Sequence, residues 1–521
     1  MSMKRLATWM LALTMVATLL PACSMAESAA AKEPLKLTFF DKNTGDAFDN
    51  PVAQAITEKT GVTIEVLQPT GNPEEKLSLM LVSGDLPDIV LMDRRSSIVN
   101  KYISGGALIP LNDLIDQLGP DVKAMYGDVL AKSRYVDGKN YYLNNWYGVD
   151  PDPDRGINMR MDLLKEFGYG DKAEKGDYFT QDEFVDILRK YKEKYGADAI
   201  PFTINGEYME TVMSTFRGMY GMKPYYEKDN QLLLEVRNPD YLKMVKFINS
   251  LYLEGLLDKE WAVNKSDLFT QKLSGGNVLA GNGGLPEDVN SLFREENGED
   301  TDKQFYMFKV VADGTDPSKT TFSPRSSLGW DAIGITVKNQ HPEETMKFIN
   351  FLASEEGQYL LMWGVEGQHW DMVDGKHAPR PEIIPGFHKD WGEYSKQTGI
   401  RKWSWFIKNG YGSDGTPFDV VTKYEVSKAA QHARTSMAGS VYDTALYDNV
   451  GPLGGTQEAL VEQKLKDIVD QGFSKMVYSA SSEAVEEEYN KMIAELDANN
   501  AASIEAIYTE NYQARLTLWG N

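Results

Sequence analysis

The chain has 521 residues, a formal net charge of −23 and a single cysteine. So acidic a body repels nucleic acid and anionic lipid surfaces, and it disfavours large polyanionic ligands unless a local basic pocket compensates. One cysteine excludes an intrachain disulfide, five histidines leave little for a transition-metal site, and the length exceeds one core, so two or more lobes are expected.

Lys4 and Arg5 precede an apolar stretch over 6–20, mostly Leu, Ala, Met, Thr and Val. This has the shape of a secretory leader and is too short for a comfortable transmembrane span. The run Leu20-Pro21-Ala22-Cys23 that closes it resembles the lipobox of bacterial lipoproteins. Residues 1–22 then form the signal peptide, and Cys23 carries a lipid anchor on the outer face of the bacterial cell membrane. The alternative for Cys23 is a buried free thiol left after ordinary signal cleavage further on. The small and polar residues of 23–34 read as a flexible tether. No later segment is apolar for long enough to cross a bilayer.

Residues 35–40 alternate well enough for a strand. Asn50 and Pro51 supply a cap and a first-turn proline for a helix that Gly61 stops. Residues 62–66 alternate strictly. Pro73 starts a helix with Leu77, Met80 and Leu81 on one face and Gly84 at its end, and 89–92 is a short apolar strand. This β-α-β-α-β order opens an open α/β sheet, which takes ligands at the carboxyl ends of its strands. Asp137-Gly138 reads as the turn of a hairpin over 135–142. Residues 181–195 have helical spacing at Phe184, Ile187, Leu188 and Tyr191, and 241–253 is another amphipathic helix. Residues 275–285 form a Gly-rich strand and loop, and 332–337 a strand. His341-Pro342 opens a helix that buries Met346, Phe348, Ile349 and Leu352. Residues 482–516 are two acidic helices split near Asn499-Asn500. There is no internal repeat.

Several passages then converge. Ser83-Gly84-Asp85-Leu86-Pro87-Asp88-Ile89-Val90 resembles the signature of extracellular solute-binding proteins, family 1, the receptors of ABC importers. Residues 330–336 followed by 341–352 are similar to the strand and helix that re-enter the first lobe in that family. Trp363-Gly364-Val365-Glu366-Gly367-Gln368-His369-Trp370 resembles a segment of the family's long subgroup, which includes alginate-oligosaccharide receptors and Bacillota lipoproteins, and the terminal helices ending at 507–515 fit it too. The resemblance covers nearly all of the chain beyond the leader. It implies an α/β, two-lobed, periplasmic-binding-protein-like fold, each lobe an open sheet flanked by helices, with the ligand in the cleft between them. The element order suggests a first lobe of 35–149 plus 331–375 and a second of 150–330 plus 376–521. The function implied is a monomeric receptor that binds a carbohydrate, an oligosaccharide, and delivers it unaltered to the permease subunits of an ABC transporter.

A saccharide requires aromatic rings against its CH-rich faces and planar polar side chains for its hydroxyls. Asn144-Asn145-Trp146-Tyr147 supplies both, which makes Asn145, Trp146 and Tyr147 cleft candidates, with a core role as the alternative for the aromatics. Trp330 begins the later crossing strand and is assigned to the cleft too, whereas Trp363 is expected in the core. Glu366, His369 and Trp370 sit in a Gly-flanked loop that either touches ligand or packs on the hinge. One of Trp403 and Trp405 faces the cleft if the run is extended, and Trp403 is the choice. Asn43, Asp93 and Arg94 lie just past strand carboxyl ends. Arg94 and Arg160 have the fork for a carboxylate, although a solvated salt bridge is the commoner fate. Within Gly281-Asn282-Gly283-Gly284 family members approach the ligand with backbone and an aromatic; the aromatic is absent here, which leaves Asn282.

Asp150, Asp152 and Asp154 have the spacing of the first ligands of an EF-hand, but Arg155 stands where glycine is needed and Met161 where the bidentate glutamate belongs. Residues 192–198 are shorter and more basic than the calcium loop of alginate-type relatives. No metal or cofactor is expected. No G-x-S-x-G, H-E-x-x-H or Walker-type run occurs, and turn and capping chemistry accounts for Asp85 and Asp88. The rival readings are a secreted glycan-cleaving enzyme using two cleft acids, a receptor for a non-sugar such as a peptide or an aromatic acid, and a scaffold with a vestigial cleft.

Overall fold

Leu37 and Phe39 lie on one face of the strand Leu35–Phe40 and Phe40 on the other, and all three are buried. Ile89 and Leu91 against Val90 and Met92 repeat the pattern in Ile89–Asp93. Strands apolar on both faces must be covered on both, which a parallel sheet between helices achieves. Val62–Leu67, Leu35–Phe40 and Ile89–Asp93 accordingly run parallel; Asp331–Ile335 joins antiparallel beside Ile89–Asp93, and Leu143–Asn144 closes the edge. The helix Pro51–Thr60 starts where the Asn50 side chain accepts the Ala53 N–H, and it ends at Gly61 with φ 67°. Pro73–Ser83 is built the same way between Asn72 and Gly84. The computed structural model describes residues 33–68, 71–135, 137–148, 150, 152–207, 209–424 and 426–519. The signal peptide, Cys23 and the tether up to residue 32 lie outside the described residues, among which no helix is long and apolar enough to cross a membrane.

The second lobe is built on a sheet ordered Phe305–Phe308, Gly156–Arg160, Val278–Gly283, Ile200–Thr203, antiparallel except for its last pair. Gln181–Tyr195, opened by a Thr180–Glu183 capping box, and Pro239–Leu253 pack on it. The terminal helices Gln457–Val477, Ser482–Ala498 and Ala501–Trp519 join the same core, the first two packing on Pro239–Leu253 and the last on the strand Gln231–Leu234. After residue 375 the chain contributes to both cores. Ile383, Phe387, Ile400, Trp403, Phe406, Phe418 and Val420 are buried in the core of the first sheet, whereas Ala429, Ala433 and Met437 lie in the second core.

Two local readings are overtaken by long-range bonds. The Asp137-Gly138 turn forms, with the Tyr135 N–H donating to the Lys139 carbonyl at 2.8 Å, but among the described residues no hairpin ladder follows. Tyr135, Tyr141 and Tyr142 pack under the first sheet instead, and Leu143–Asn144 pairs with Asp331–Ile335. Asp88 is not a turn residue. Its carboxylate accepts from the Thr38 N–H at 2.8 Å and the Thr38 hydroxyl at 2.7 Å, and its own N–H donates to that hydroxyl at 2.9 Å. The signature run is thereby fastened to the first strand. Asp85 alone stays local, its N–H donating to the Ser83 hydroxyl.

The loop after the helix Glu355–Trp363 closes on itself. His369 Nδ1 accepts the Val365 N–H at 2.9 Å, and Trp370 Nε1 donates to the Gly364 carbonyl at 2.9 Å. His369 and Trp370 are buried in this role and Glu366 is exposed. His369 and Trp370 are thereby engaged in closing the loop, and neither they nor Glu366 borders the recesses described below. Burial, with Arg380 adding repulsion, pushes His369 down to about 4.

Asp88→Ala leaves two Thr38 donors without their acceptor and is expected to lower the unfolding free energy by about 1–3 kcal/mol in a urea titration; an unchanged midpoint would remove those bonds from the account. His369 is held neutral in the fold but titrates near 6.5 when unfolded, so the unfolded chain binds more protons between about 4 and 6.5. Stability therefore falls as pH is lowered through that window. The melting temperature should drop more steeply there in wild type than in His369→Asn, and parallel curves would show that His369 does not contribute.

Candidate functional site

Asn145 and Asp331 meet across two segments that pass between the lobes. Asn145 Nδ2 donates to Asp331 Oδ2 at 2.9 Å, and the Asp331 N–H donates to Asn145 Oδ1 at 2.8 Å. Both residues are buried. The pairing sets their neighbours side by side. Trp146 follows Asn145, Trp330 precedes Asp331, and the two indoles lie nearly parallel, 5.6 Å between centroids and 16° between planes. Gly329 permits the approach: with φ at 63°, a Cβ there would meet the Asn145 carbonyl oxygen at 1.7 Å. Trp330 remains 46% exposed, an aromatic face turned outward.

The tryptophan pair separates two recesses. One, of about 680 Å³, lies between the lobes, with Trp146, Arg401 and Asp419 on one side and Arg155, Tyr225 and Arg325 on the other. The second, of about 380 Å³, opens on the first lobe beside Asp41, Asn43, Asn145, Trp391 and Trp405. Asp41 accepts from Trp405 Nε1 at 3.1 Å and from the Asn43 N–H at 2.9 Å. Burial raises its pKa against those bonds. Burial likewise raises that of Asp331, which Lys42 Nζ opposes from 2.8 Å.

The Arg401 guanidinium lies 5.2 Å from the Trp146 ring centroid and 4.6 Å from that of Trp391, with Nη2 3.3 Å from Asp419 Oδ2. Arg401 has φ 57° and Trp146 φ 46°; every other described non-glycine residue with positive φ is Asp or Asn. Bulky residues adopt this backbone only where the surroundings over-determine it, as they do at binding sites. The aspartates 150, 152 and 154 are engaged by cations. Lys423 Nζ is 2.6 Å from Asp150 and 3.0 Å from Asp152, Arg434 forks Asp152 at 2.9 Å, and Arg325 is 3.6 Å from Asp150 and Asp154. Among the described residues no group of three or more His, Cys, Asp or Glu is disposed to hold a metal ion.

Of the residues singled out from the sequence, Asn43, Asn145, Trp146 and Trp330 line the smaller recess and Arg94 borders the larger. Arg94 is there as a fastener: it is buried, donating to the Gly329 carbonyl at 2.7 and 3.1 Å and to Asp448 at 2.8 Å. Asp93 accepts the Arg95 N–H and shapes a turn. The others lie elsewhere. Tyr147 is fully buried and stacked on Tyr126 at 3.6 Å. Trp403 is buried, donating to Asn50, and Trp405 is the one that borders the recess. The run turns there, the Trp405 N–H donating to the Trp403 carbonyl, so alternation does not apply. Arg160 is forked onto Asp162 at 2.8 and 2.6 Å. Asn282 is buried in the second sheet, accepting the Asn205 N–H. Trp363 lies in the core as expected, donating to the Pro417 carbonyl. Sequence reasoning missed Arg401, Trp391 and Arg325. Trp391 begins a short helix and Arg401 follows its terminal Gly399 by two residues, a place where both look like ordinary surface.

Residues 41–359 match the model of the bacterial extracellular solute-binding proteins. Lipoprotein LipO of Bacillus subtilis (strain 168) is 23% identical over 387 residues, 70% of this chain and 74% of that protein. The fructooligosaccharide ABC transporter substrate-binding protein FusA of Streptococcus pneumoniae serotype 4 is 26% identical over 347 residues, 62% of this chain and 61% of that one. The crystal structure of the alginate-binding protein AlgQ2 without calcium ion superposes with a TM-score of 0.65 at 21% identity, over 92% of this chain and 98% of that chain. Two lobes with a cleft between them are the architecture that this match requires, and the chain belongs to the bacterial extracellular solute-binding protein family.

Proposed function

We propose that the protein is the substrate receptor of an ABC importer, anchored to the membrane through Cys23, and that its cleft takes an oligosaccharide and passes it on chemically unaltered. The half-exposed Trp330, parallel to Trp146 and beside Asp41 and Asn43, carries this reading. It offers a flat apolar face for a sugar ring, with acceptors and donors for hydroxyls around it. The names of FusA and AlgQ2, which specify a fructooligosaccharide and alginate, support a sugar as cargo. That of LipO supports a lipid anchor.

The lobes are assigned as 35–149 with 331–421, and 150–330 with 429–519, after the two cores. The hinge is assigned to the crossing segments near 148 and 327, backed by the first-lobe segment 407–409. The Tyr147 N–H donates to the Ile407 carbonyl and the Asn409 N–H to the Tyr147 carbonyl, both at 2.9 Å, while the Gly148 N–H donates to the Ser327 carbonyl at 2.8 Å. Bonded side by side, these segments allow the lobes to rotate but resist their sliding apart. A ligand that touches both lobes only when they are closed shifts the population to that form, and the permease reads the closed shape.

A thermal-shift screen of oligosaccharides is expected to find a ligand that adds about 2.7 kcal/mol of stability at about a hundred times its dissociation constant and is recovered intact by mass spectrometry. Appearance of cleavage products would make the protein an enzyme. Trp330→Ala should weaken that ligand by at least about 2 kcal/mol, roughly thirtyfold, with little change in the melting of the free protein; undiminished affinity would place the ligand elsewhere. Cys23→Ser should move the protein from the detergent-extracted membrane fraction to the soluble fraction of producing cells, and an unchanged distribution would refute the anchor.

A further inference from the structure

The cations of the cleft are mostly matched. Lys423 is bound to Asp150 and Asp152, and Arg94 to Asp448. Arg325 donates to the Asp152 carbonyl, with Asp154 near it, and Arg155 donates to the Ser214 hydroxyl. Arg325 keeps one buried nitrogen, Nε, without a partner, and Arg401 goes further. Among the described residues its guanidinium donates to no acceptor within hydrogen-bond geometry, and its Nε and Nη1 are shut off from water without a partner. Asp419 Oδ2, 3.3 Å from Nη2, is the carboxylate that faces it. Asp419 is itself occupied, accepting from the Thr422 N–H and hydroxyl to cap the helix Val420–Lys423.

A desolvated cation without hydrogen bonds is costly, and the indoles of Trp146 and Trp391 supply only part of what water supplied. A hydroxyl would bring an acceptor, whereas a carboxylate brings two acceptors and a charge in the planar arrangement that a guanidinium fits. The surroundings favour the second. The larger recess sets six cations (Arg94, Arg95, Arg155, Arg325, Arg401 and Lys423) against five carboxylates (Asp150, Asp154, Glu210, Asp419 and Asp448), in a chain that as a whole carries −23. Burial pulls the pKa of Arg401 down, with Asp419 opposing, so an additional negative charge would be welcome beside it. Trp146 lies 5.2 Å from Arg401 and 5.6 Å from Trp330, and Arg401 and Trp330 both border each of the two recesses.

We infer that the saccharide taken by this cleft is acidic, with a sugar ring laid on Trp330 and a ring carboxylate forked by Arg401. The inference rests on the carbohydrate reading above and narrows it to uronate-bearing chains.

The full chain is titrated with short oligomers of galacturonate, glucuronate, mannuronate and guluronate, with the methyl ester of each, and with neutral oligosaccharides of the same length. At least one free acid should bind about tenfold or more tighter than its own ester, as loss of a charge-assisted hydrogen bond implies. That ratio should fall to near unity in Arg401→Gln. It should rise in Asp419→Asn, which removes the competing charge and retains a capping side chain. Esters binding as tightly as acids, a ratio that survives Arg401→Gln, or one that does not rise in Asp419→Asn would each overturn the inference. The Asp419 variant decides alone if the Arg401 variant does not fold. A neutral sugar bound in preference to every acid would overturn it while leaving the carbohydrate reading standing. No binding across the whole panel would remove both.

Discussion

Two buried hydrogen bonds between Asn145 and Asp331 hold together the segments that carry Trp146 and Trp330, and the proposed recognition surface follows from them. Neither partner can let go without leaving a polar group unpaired away from water, which makes the junction rigid. Gly329 allows the two backbones to touch, Arg94 clamps the Gly329 carbonyl from the far side, and Lys42 offsets the charge of Asp331. With these in place, Trp146 and Trp330 have nowhere to go but alongside each other. The left-handed backbone of Trp146 is one cost of that arrangement.

The same junction explains how a receptor of this kind can be firm and mobile at once. The aromatic wall belongs to the crossing segments and does not depend on the position of the second lobe. The opposite wall is formed by Arg155, Tyr225 and Arg325, residues of the span assigned to the second lobe, and it is the wall that the proposed closure would carry toward the tryptophans. Electrostatics follow a similar division. The exterior is strongly acidic, while the larger recess holds acids and bases in near balance, most of them already paired. Arg401 stands out because its compensation is incomplete.

Much of the first sheet was legible because its signals are local. Asn50, Pro51 and Gly61 bound one helix, Asn72, Pro73 and Gly84 another, and the double-faced apolar strands between them admit few alternatives. The second sheet was faint because Val278–Gly283 is rich in glycine and small residues and its burial comes from neighbours, not from its own propensity. The hairpin over 135–142 failed for a related reason: the turn chemistry was correct, but Tyr141 and Tyr142 gain more by packing under the sheet than by pairing with their own strand.

By itself the sequence determined the fold class, the order of elements in the first sheet up to residue 93, the family and the presence of aromatics around 146 and 330. Caps, alternation and contiguous motifs all act within a few residues of one another. Only the tertiary structure decided that Trp330 faces outward while Tyr147 and Trp403 are buried, that Asp88 reaches Thr38, and that residues 383–421 return to the first core. It alone brought Arg401 against Trp146, 255 positions away in the chain. The exposure of a side chain is the sum of what every other segment places around it, and no window along the chain contains that sum.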